Sequence, residues 1–583
     1  MPTLHWVGKD KVVNHHHDVP FRLLDKQYTF TANDGTPANS NTNRIIHGDN
    51  LEALKSLLPE FEGKVNCIYI DPPYNTGNEG WVYNDAVNDP KIKKWLGQVV
   101  GKEGEDLSRH DKWLCMMYPR LKLLKRLLAA DGVIFISIDD YEQATLKLLM
   151  DEIFGPRNFV AQIAAVTNLK GRNDKKHISA CHEYILIYAS SNFQSVGLPL
   201  TVEQKKAYCH ADEQGRMYAL RDLRKRGGPD KREDRPNMYF PIFRSPVNGK
   251  LSLEKTSDKD IEILPLRGDG SEGRWRWGVE KISAHIEWLH GKKPKKNGRW
   301  GIEHRIYLDP SIVVGSAISD GEEDDEDEDE DEEMVERSSK PKSIWIGGEF
   351  STDSGKRTVK GAISNFNFDF PKSVELVKRC IQMATAKNAT ILDSFAGSGT
   401  TAHAVLKLNA LDGGNRRFIL CEMMDYAETI TAERVRRVMN GYGEGRKTVA
   451  AAGGGFDYYS VGAALFNDDR NLNEDVGETA IRDYVAYTES IPVALQCGMD
   501  SPVSRYALGF SDTVLWLFYY EREHVTTLNL DFLASLNIKA LLENGGKRPE
   551  QFVVYADKCA LDNNFLTKHG ITFKRIPRDI TRF

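Results

Sequence analysis

Apolar runs alternate with amphipathic helical patterns in two separated stretches of this 583-residue chain, and this alternation limits the fold more than any other feature. The first stretch, residues 43–190, contains the runs KVNCIYI, GVIFISID, FVAQIAAV and EYILIYAS, with helical segments such as LEALKSLLPEF among them. The second, residues 370–440, contains ATILD and RRFILCEM among three helical patterns. Strands that alternate with helices of this length predict an α/β fold, with a parallel sheet covered on both faces.

The stretch between these blocks, Leu200–Trp345, has no such periodicity and is rich in Arg, Lys, Gly, Trp and Pro. Seven Arg or Lys residues lie between Arg221 and Arg235, and a second basic cluster covers residues 292–299. Clusters of this kind bind nucleic-acid phosphates, although a solvated surface is the ordinary alternative. We expect the stretch to be an insertion that reads a nucleic-acid target.

An unbroken run of twelve acids, Glu322–Glu333, dominates the net charge of −6. Without it the remaining charge is −6 − (−12) = +6, so the rest of the chain is mildly basic. A block of like charges repels itself and cannot bury a core, so we expect a disordered loop over residues 321–336.

Composition excludes several classes of protein. There is no run of 18 uncharged apolar residues, so we expect no transmembrane helix. The N-terminus lacks the apolar stretch of a signal peptide, so we do not expect the protein to be secreted. The eight cysteines include no C-x-x-C pair, and the tract His15–His17 is an incidental cluster, so no metal site is expected. A reduced, cytoplasmic protein is the simplest interpretation.

The pattern predicts six segments. They are an N-terminal extension (1–44), a first α/β half (45–199), the insertion (200–345), a second α/β half (346–449), a linker (450–455) and a small C-terminal α/β domain (456–583). The linker is identified by its AAAGGG sequence.

Two loops follow buried strands and carry the candidate chemistry. In CIYIDPPYNTG a strand leads into Asp71, Pro72, Pro73 and Tyr74, which places an acid and an aromatic ring on a rigid turn. In DSFAGSGT, glycines 397 and 399 allow a ligand to approach the backbone, and Glu422 closes the next strand, where a carboxylate can bind ribose hydroxyls. An ordinary strand–helix turn remains the alternative for the glycine loop. Since ligands of parallel sheets bind at the carboxyl ends of the strands, both loops are expected at one crevice.

These motifs, DPPYNTG and DSFAGSGTT together with FDFPKS, resemble the amino-group DNA methyltransferases that use S-adenosylmethionine. Because DPPY precedes the glycine loop, the chain is similar to the β-ordered group, and in particular to the modification subunits of type III restriction systems. The resemblance implies a Rossmann-like sheet of seven strands assembled from two segments, with an inserted target-recognition domain. It also implies double-stranded DNA as substrate, a homodimer, and a helicase–nuclease restriction subunit as partner.

The resemblance further implies roles for individual residues. Asp71, Pro72, Pro73 and Tyr74 would be catalytic: Asp71 and the Pro72 carbonyl accept the two N–H groups of an exocyclic amine, and Tyr74 stacks on a flipped-out base. The remaining matched residues would bind the cofactor: Asp49, Phe370, Lys372, Asp393, Phe395, Gly397, Gly399 and Glu422. Two ordinary alternatives stay open, an N-cap role for Asp49 and a surface charge at Lys372. The family often has Pro where Ser373 stands here.

Asp at the first position of DPPY favours adenine N6, since many cytosine-N4 enzymes of this type have Ser there. The alternatives are methylation of cytosine N4, of RNA or of protein glutamine, and a non-catalytic subunit that reads DNA for a partner nuclease. The motif order disfavours the RNA and glutamine enzymes, and the complete pair of motifs disfavours a purely structural role. No GxxxxGK[ST] motif is present, so DNA cleavage would require another polypeptide.

Overall fold

The computed structural model describes residues 3–33, 43–76, 97, 109–171, 177–293, 298–309, 338–363, 368, 370–543 and 547–581. The acidic run Glu322–Glu333 and the middle of the second basic cluster, residues 294–297, lie outside these ranges. The chain divides into two compact units, one formed by Met1–Val196 with Lys342–Phe583 and the other by Gly197–Pro341.

A ten-stranded sheet forms the centre of the first unit. Its strands are β1 (Arg22–Thr31), β2 (Arg44–His47), β3 (Val65–Ile70), β4 (Leu128–Ile138), β5 (Phe159–Val166), β6 (His182–Ala189), β7 (Ile344–Trp345), β8 (Thr390–Asp393), β9 (Arg417–Glu422) and β10 (Gly455–Ala464). Their order across the sheet is β1-β10-β2-β9-β8-β3-β4-β6-β5-β7. The strands from β10 to β4 are mutually parallel, whereas β6 is antiparallel to both of its neighbours.

The sheet has three strands more than the seven that the resemblance implied. Strands β1 and β10 extend one side, and the two-residue β7 extends the other by pairing with β5. Strand β10 also lies inside the region expected to form a separate C-terminal domain, since Tyr458 pairs with Ile45 of β2. An apolar pattern indicates a strand but not the sheet in which it finds its hydrogen-bond partners, and this explains the difference.

Eight helices of eight or more residues accompany the described strands. They are α1 (Asn50–Phe61), α2 (Arg109–Leu127), α3 (Gln143–Phe154), α4 (Thr352–Ala362), α5 (Val374–Gln382), α6 (Thr400–Asp412), α7 (Glu433–Asn440) and α8 (Glu478–Thr488). Helix α2 contains Pro119 within its length. Apolar side chains of α1, α2 and α3 are buried against β3 and β4 in one hydrophobic core.

The parallel strands deliver their carboxyl ends to one edge of the sheet. Cys67 of β3 lies opposite Ile391 of β8, and Asp393 of β8 lies opposite Leu420 of β9. Asp71 follows β3 directly, Asp393 closes β8 and Glu422 closes β9. The two motifs, more than 300 residues apart in the chain, therefore meet because their strands are neighbours.

The C-terminal part of the first unit has a four-stranded sheet of its own, in the order β11 (Ala507–Phe510), β12 (Val514–Phe518), β13 (Gln551–Ala556) and β14 (Ile571–Arg575). Helices Leu530–Ser535, Lys539–Glu543 and Asn563–Lys568 connect and cover its strands. Its buried charges pair internally, as where Arg578 contacts Asp557 at 2.6 Å and Glu474 at 2.7 Å.

The second unit consists of short antiparallel strands. One sheet contains Ile242–Arg244, Leu251–Ser252 and Ile261–Ile263, and another contains His210–Ala211, Met217–Asp222, Leu289–Lys292 and Gly301–Tyr307. Trp275 and Trp277 are buried in its core. Strands of two to seven residues are too short to show a clear alternation, so the sequence of this unit looked aperiodic.

Among the described residues, no helix is long and apolar enough to cross a membrane. The eight cysteines are all free thiols, and four of them are buried.

Candidate active site

The turn after β3 holds Asp71, Pro72, Pro73 and Tyr74 at the edge of the sheet. The indole nitrogen of Trp113 on α2 donates a hydrogen bond to the Pro73 carbonyl at 2.7 Å. Asn75 follows in the left-handed region, with φ of 59°, and its amide donates to the Glu142 carboxylate at 2.5 Å. The Trp113 contact directs the Pro73 carbonyl toward α2.

Asp71 lies in a buried cluster of charges. Lys372 Nζ lies 3.3 Å from Asp71 Oδ1 and 3.1 Å from Glu183 Oε2. The Tyr74 hydroxyl donates to the same Glu183 oxygen at 3.1 Å, and Lys372 Nζ lies 4.5 Å above the Tyr74 ring. The Lys372 side chain is only 13% exposed, so the surface-charge alternative for this residue is wrong.

Burial raises the pKa of the Asp71 carboxyl to about 6, with the Lys372 cation lowering it and the Glu183 carboxylate raising it. The same two carboxylates raise the pKa of Lys372, against the effect of burial, so this lysine stays protonated. Asp71 is therefore mostly a carboxylate above pH 6, and that is the form whose oxygens accept hydrogen bonds from an amine.

The glycine loop is held by the carboxylates at the ends of β8 and β9. Glu422 Oε2 accepts from the Gly397 N–H at 2.7 Å and Oε1 accepts from Met424 N–H at 2.9 Å. Asp393 accepts from Phe395 N–H at 3.0 Å and from the Thr401 hydroxyl at 2.5 Å. Both carboxyl groups therefore hold the conformation of the glycine loop through hydrogen bonds.

Gly397 and Gly399 favour glycine for different structural reasons. Gly397 has φ of 51°, a conformation that a β-branched residue adopts only with strain. Gly399, with φ of 77°, packs so closely that a Cβ atom would lie 3.2 Å from the Thr431 carbonyl. Any larger residue at Gly397 would therefore disturb the backbone as well as a ligand that approaches it.

Burial raises the pKa of Asp393 and of Glu422 to about 7 each. Hydrogen bonds from Thr401 and Phe395 oppose the rise at Asp393, and backbone N–H groups oppose it at Glu422. Carboxyl groups that titrate close to neutrality at the edge of a sheet are typical of a ligand site.

One pocket of about 330 Å³, open to solvent, connects the two motifs. Its walls include Asp71 and Lys372 together with Asp393, Phe395 and Gly397. Phe370 also lines it and is 40% exposed, with Lys356 Nζ 4.8 Å from its ring. Of the predicted site residues, those that line this pocket are Asp71, Phe370, Lys372, Asp393, Phe395 and Gly397. Its lining does not include Pro72, Pro73, Tyr74, Asp49, Gly399 or Glu422.

Asp49 is placed by a different set of contacts. Its Oδ1 atom accepts from the Leu51 N–H at 2.8 Å and caps α1, as the ordinary alternative stated. Arg120 of α2 lies 3.4 Å from the same oxygen and donates to Asn50 at 2.6 Å. Asn50 in turn donates to the Ser394 carbonyl of the glycine loop at 2.9 Å. Arg120 and Asn50 therefore connect Asp49 to the glycine loop.

Ser373 replaces the proline that the family often has after the lysine, and here it caps α5. Its hydroxyl accepts from Glu375 N–H at 3.2 Å and donates to the Glu349 carbonyl. Lys372 is therefore the residue that immediately precedes a capped helix, which fixes its backbone direction.

Three residues of the site were not predicted individually. Glu183 stands in HEYILIYA, Phe368 lines the pocket from FDFPKS, and Arg434 lies behind the glycine loop. Arg434 is fully buried and donates to the Ser398 carbonyl at 3.1 Å, to its hydroxyl at 2.8 Å and to the Thr400 hydroxyl at 2.9 Å. Glu183 stands beside apolar strand residues and Arg434 in a helix with other arginines, and neither pattern indicates that the charge is buried.

In the second unit, most of the basic cluster between Arg221 and Arg235 contacts acids. Arg224 lies 3.7 Å from Asp230, Arg232 lies 2.9 Å from Glu272, and Arg226 pairs with Asp222. Lys292 also binds Asp222, at 2.7 Å. These basic residues would have to exchange carboxylates for phosphates on binding nucleic acid, so the solvated-surface alternative stays open.

In the part of the chain that the structure describes, no cluster of three or more His, Cys, Asp or Glu residues could hold a metal ion.

A family model described as DNA methylase, covering N6 and N4 enzymes, matches residues 65–433. The EcoPI Mod subunit, a type III restriction-modification enzyme of Escherichia phage P1, is 34% identical over 77% of this chain and 66% of its own length. The type II methyltransferase M.KpnI of Klebsiella pneumoniae is 32% identical over 66% and 82% of the two chains. The StyLTI Mod subunit of Salmonella typhimurium is 32% identical over 65% and 52%. The chain thus spans between about half and four fifths of the length of these relatives.

Proposed function

Because this chain belongs to the N6/N4 DNA methylase family, we propose that it transfers a methyl group from S-adenosylmethionine to N6 of a flipped-out adenine in double-stranded DNA. The observation that carries the proposal is the shared pocket, which is lined both by Asp71 of one motif and by Gly397 of the other. An acceptor for the amine and a loop that a cofactor can approach are thus parts of one cavity.

The residues present suit S-adenosylmethionine. Phe370 and Phe395 offer aromatic surfaces, Gly397 lines the pocket without a side chain, and the carboxylate of Asp393 can accept from hydroxyl or ammonium groups. When bound, this cofactor supplies a methyl group activated by its sulfonium charge. The Glu422 oxygens already accept the N–H groups of Gly397 and Met424, so a ribose hydroxyl would have to share this carboxylate with the backbone.

The protein's own part in the transfer is to orient the amine. Asp71 Oδ and the Pro72 carbonyl would accept the two N–H groups, which favours a pyramidal nitrogen with its lone pair toward the methyl group. The proton that the nitrogen loses after methylation passes to a nearby base, for which the Asp71 carboxylate is placed. Since Lys372 lies over one face of the Tyr74 ring, a base would stack on the other face or displace the lysine.

The experiment uses tritiated S-adenosylmethionine and whole-genome-amplified DNA, which contains every short site in unmethylated form. Digestion and mass spectrometry of the product identify the base. We expect N6-methyladenine, and finding N4-methylcytosine in its place would contradict the adenine assignment. Asp71→Asn should lower the rate by roughly 10²–10³-fold, the usual effect of removing one transition-state hydrogen-bond partner, while cofactor affinity stays close to that of the wild type.

Asp151→Asn is the matched control for this substitution. Asp151 on α3 also pairs with a lysine, Lys147, at 2.7 Å, but it lies outside the pocket. The control variant should methylate DNA at the wild-type rate. Equal losses in the two variants would show that removing any buried aspartate impairs the protein and would remove the support for Asp71.

The proposal extends to the role of the protein in a cell. By similarity to the Mod relatives, the chain would act in the cytoplasm as the modification and recognition subunit of a type III restriction–modification system, as a dimer that can join a helicase–nuclease subunit. The second unit, Gly197–Pro341, would read the target sequence. Light scattering of the purified chain tests the dimer, and exchanging the second unit with that of a relative of different specificity tests recognition.

A further inference from the structure

Glu183 lies at the start of β6, on a strand that contributes nothing to either sequence motif. It is 6% exposed. Its Oε2 atom accepts a hydrogen bond from the Tyr74 hydroxyl and forms an ion pair with Lys372 Nζ, each at 3.1 Å. Its Oε1 atom accepts from the Thr167 hydroxyl at 3.3 Å. A buried glutamate therefore binds the two residues that flank Asp71.

The same two residues also interact with Asp71. Lys372 Nζ lies 3.3 Å from Asp71 Oδ1, and the Tyr74 hydroxyl forms a hydrogen bond with the Asp71 carboxylate. Glu183 and Asp71 thus share one cation and one hydroxyl. If Glu183 were uncharged, both donors would turn to Asp71 and occupy the oxygens that an adenine amine needs.

We propose that Glu183 is a positioning residue for methyl transfer: it draws Lys372 and the Tyr74 hydroxyl away from Asp71, so that the Asp71 carboxylate can accept the amine of the target base. The inference rests on the proposed function and adds a residue to it. The same contacts orient the Tyr74 ring, because its hydroxyl donates to Glu183 and Lys372 lies over one of its faces.

The groups that face Asp71 decide how this role appears in a pH profile. They are Lys372 from the segment before α5, Glu183 from β6, Tyr69 and Tyr74 from β3 and its turn, and Asp393 from β8. Activity falls as the pH falls through the pKa of Asp71, because the protonated acid accepts poorly. Glu183 raises that pKa, so removing its charge moves the acidic limb of the profile to lower pH.

The test compares wild type with Glu183→Gln, which keeps the size of the side chain. Single-turnover transfer to whole-genome-amplified DNA is followed from pH 5 to 9, and cofactor affinity is measured by calorimetry. We expect a rate roughly 10–100-fold lower at pH 8, of the order that small misplacements of reacting groups produce. We also expect an acidic limb at lower pH and a cofactor Kd changed by less than about threefold.

Glu152→Gln is the matched control, since Glu152 also holds a lysine and a tyrosine, Lys9 at 2.7 Å and Tyr118 at 3.3 Å, outside the pocket. It should leave the rate and the pH profile unchanged. A wild-type rate in Glu183→Gln, or a lower rate without movement of the acidic limb, would overturn the inference.

A crystal structure of Glu183→Gln provides a readout that does not depend on activity. We expect Lys372 Nζ to lie closer to Asp71 than the present 3.3 Å and the Tyr74 ring to rotate with its hydroxyl. If both side chains keep their positions, the inference is wrong. If they move while the wild-type protein methylates no DNA, the contacts are as inferred and the proposed function is what fails.

Discussion

Replacing Lys372 with methionine should destabilise the protein in a way that depends on pH. Methionine keeps most of the length of the side chain but leaves Asp71 and Glu183 without the cation they share at 3.3 and 3.1 Å. Coulomb's law gives about 5 kcal/mol for each contact at an effective dielectric constant of 20. Desolvation of the three charges offsets much of this, and removing one partner of a buried ion pair costs about 3–5 kcal/mol in practice.

The pH dependence follows from the pKa of Asp71. Burial already raises it to about 6 and Lys372 lowers it, so the variant's Asp71 has a higher pKa still. A carboxyl group whose pKa is raised in the folded state stabilises the fold fully below its unfolded pKa, and this stability is lost as pH rises through the folded pKa. The destabilisation relative to wild type should therefore be small at pH 5 and complete at pH 8.

Thermal unfolding at pH 5, 6, 7 and 8 measures this effect. Lys378→Met on α5 is the matched control, because Lys378 is 16% exposed and pairs with Glu375 at 2.6 Å, which Lys407 also contacts at 2.6 Å. In the control, Glu375 keeps a cation and the destabilisation should not depend on pH. Equal destabilisation at pH 5 and 8 in Lys372→Met would refute the assignment of the effect to unpaired buried carboxylates.

Three other variants test the remaining parts of the structure. Asp393→Asn can still accept from the Phe395 N–H, and its amide can donate to the Thr401 hydroxyl oxygen in place of the present bond. Because the folded pKa of Asp393 is about 7, the Tm of the variant relative to wild type should rise as the pH increases from about 4, the pKa of an unfolded aspartate, to 7; differential scanning calorimetry checks this. Arg434→Met removes the hydrogen bonds that Arg434 Nη1 donates behind the glycine loop and should raise the cofactor Kd at least about tenfold in calorimetry. Arg221→Gln combined with Arg226→Gln should reduce the slope of log affinity for DNA against log salt by about 1 for each phosphate that the protein no longer neutralises, while an unchanged slope would assign these residues to a solvated surface.

The sequence predicted the two motifs and their meeting because both rest on local chemistry. A buried strand that ends in Asp71-Pro-Pro-Tyr74, and another that ends in Asp393 before two glycines, leave few ways to be arranged in a parallel sheet. The number of strands was not predictable in the same way. Strand β10 pairs with β1 and β2 through backbone hydrogen bonds that its side chains do not specify.

The ion-pair partners of individual charged residues could also not be predicted from the sequence. Lys372 was matched to a cofactor motif, and the structure places it between Asp71 and Glu183, which are 112 residues apart in the chain (183 − 71). Nothing in HEYILIYA distinguishes a glutamate that faces a pocket from one that faces solvent. Whether a charge is buried depends on which strands become neighbours, and so on the complete fold.

The pairing of β1 with β10 affects the time at which the fold can be completed during synthesis. The hydrogen bond between Gln27 and Ser460 joins residues 433 positions apart. At translation rates of about 5–20 residues per second, roughly 20–90 s separate the emergence of the two strands from the ribosome. Throughout this interval β1 and the outer side of β2 lack their partner, and unpaired strand edges associate readily with other chains. A chain interrupted before Gly455 would retain both motifs and still expose these edges, so aggregation on the ribosome, rather than a faulty site, is the expected cost of truncation.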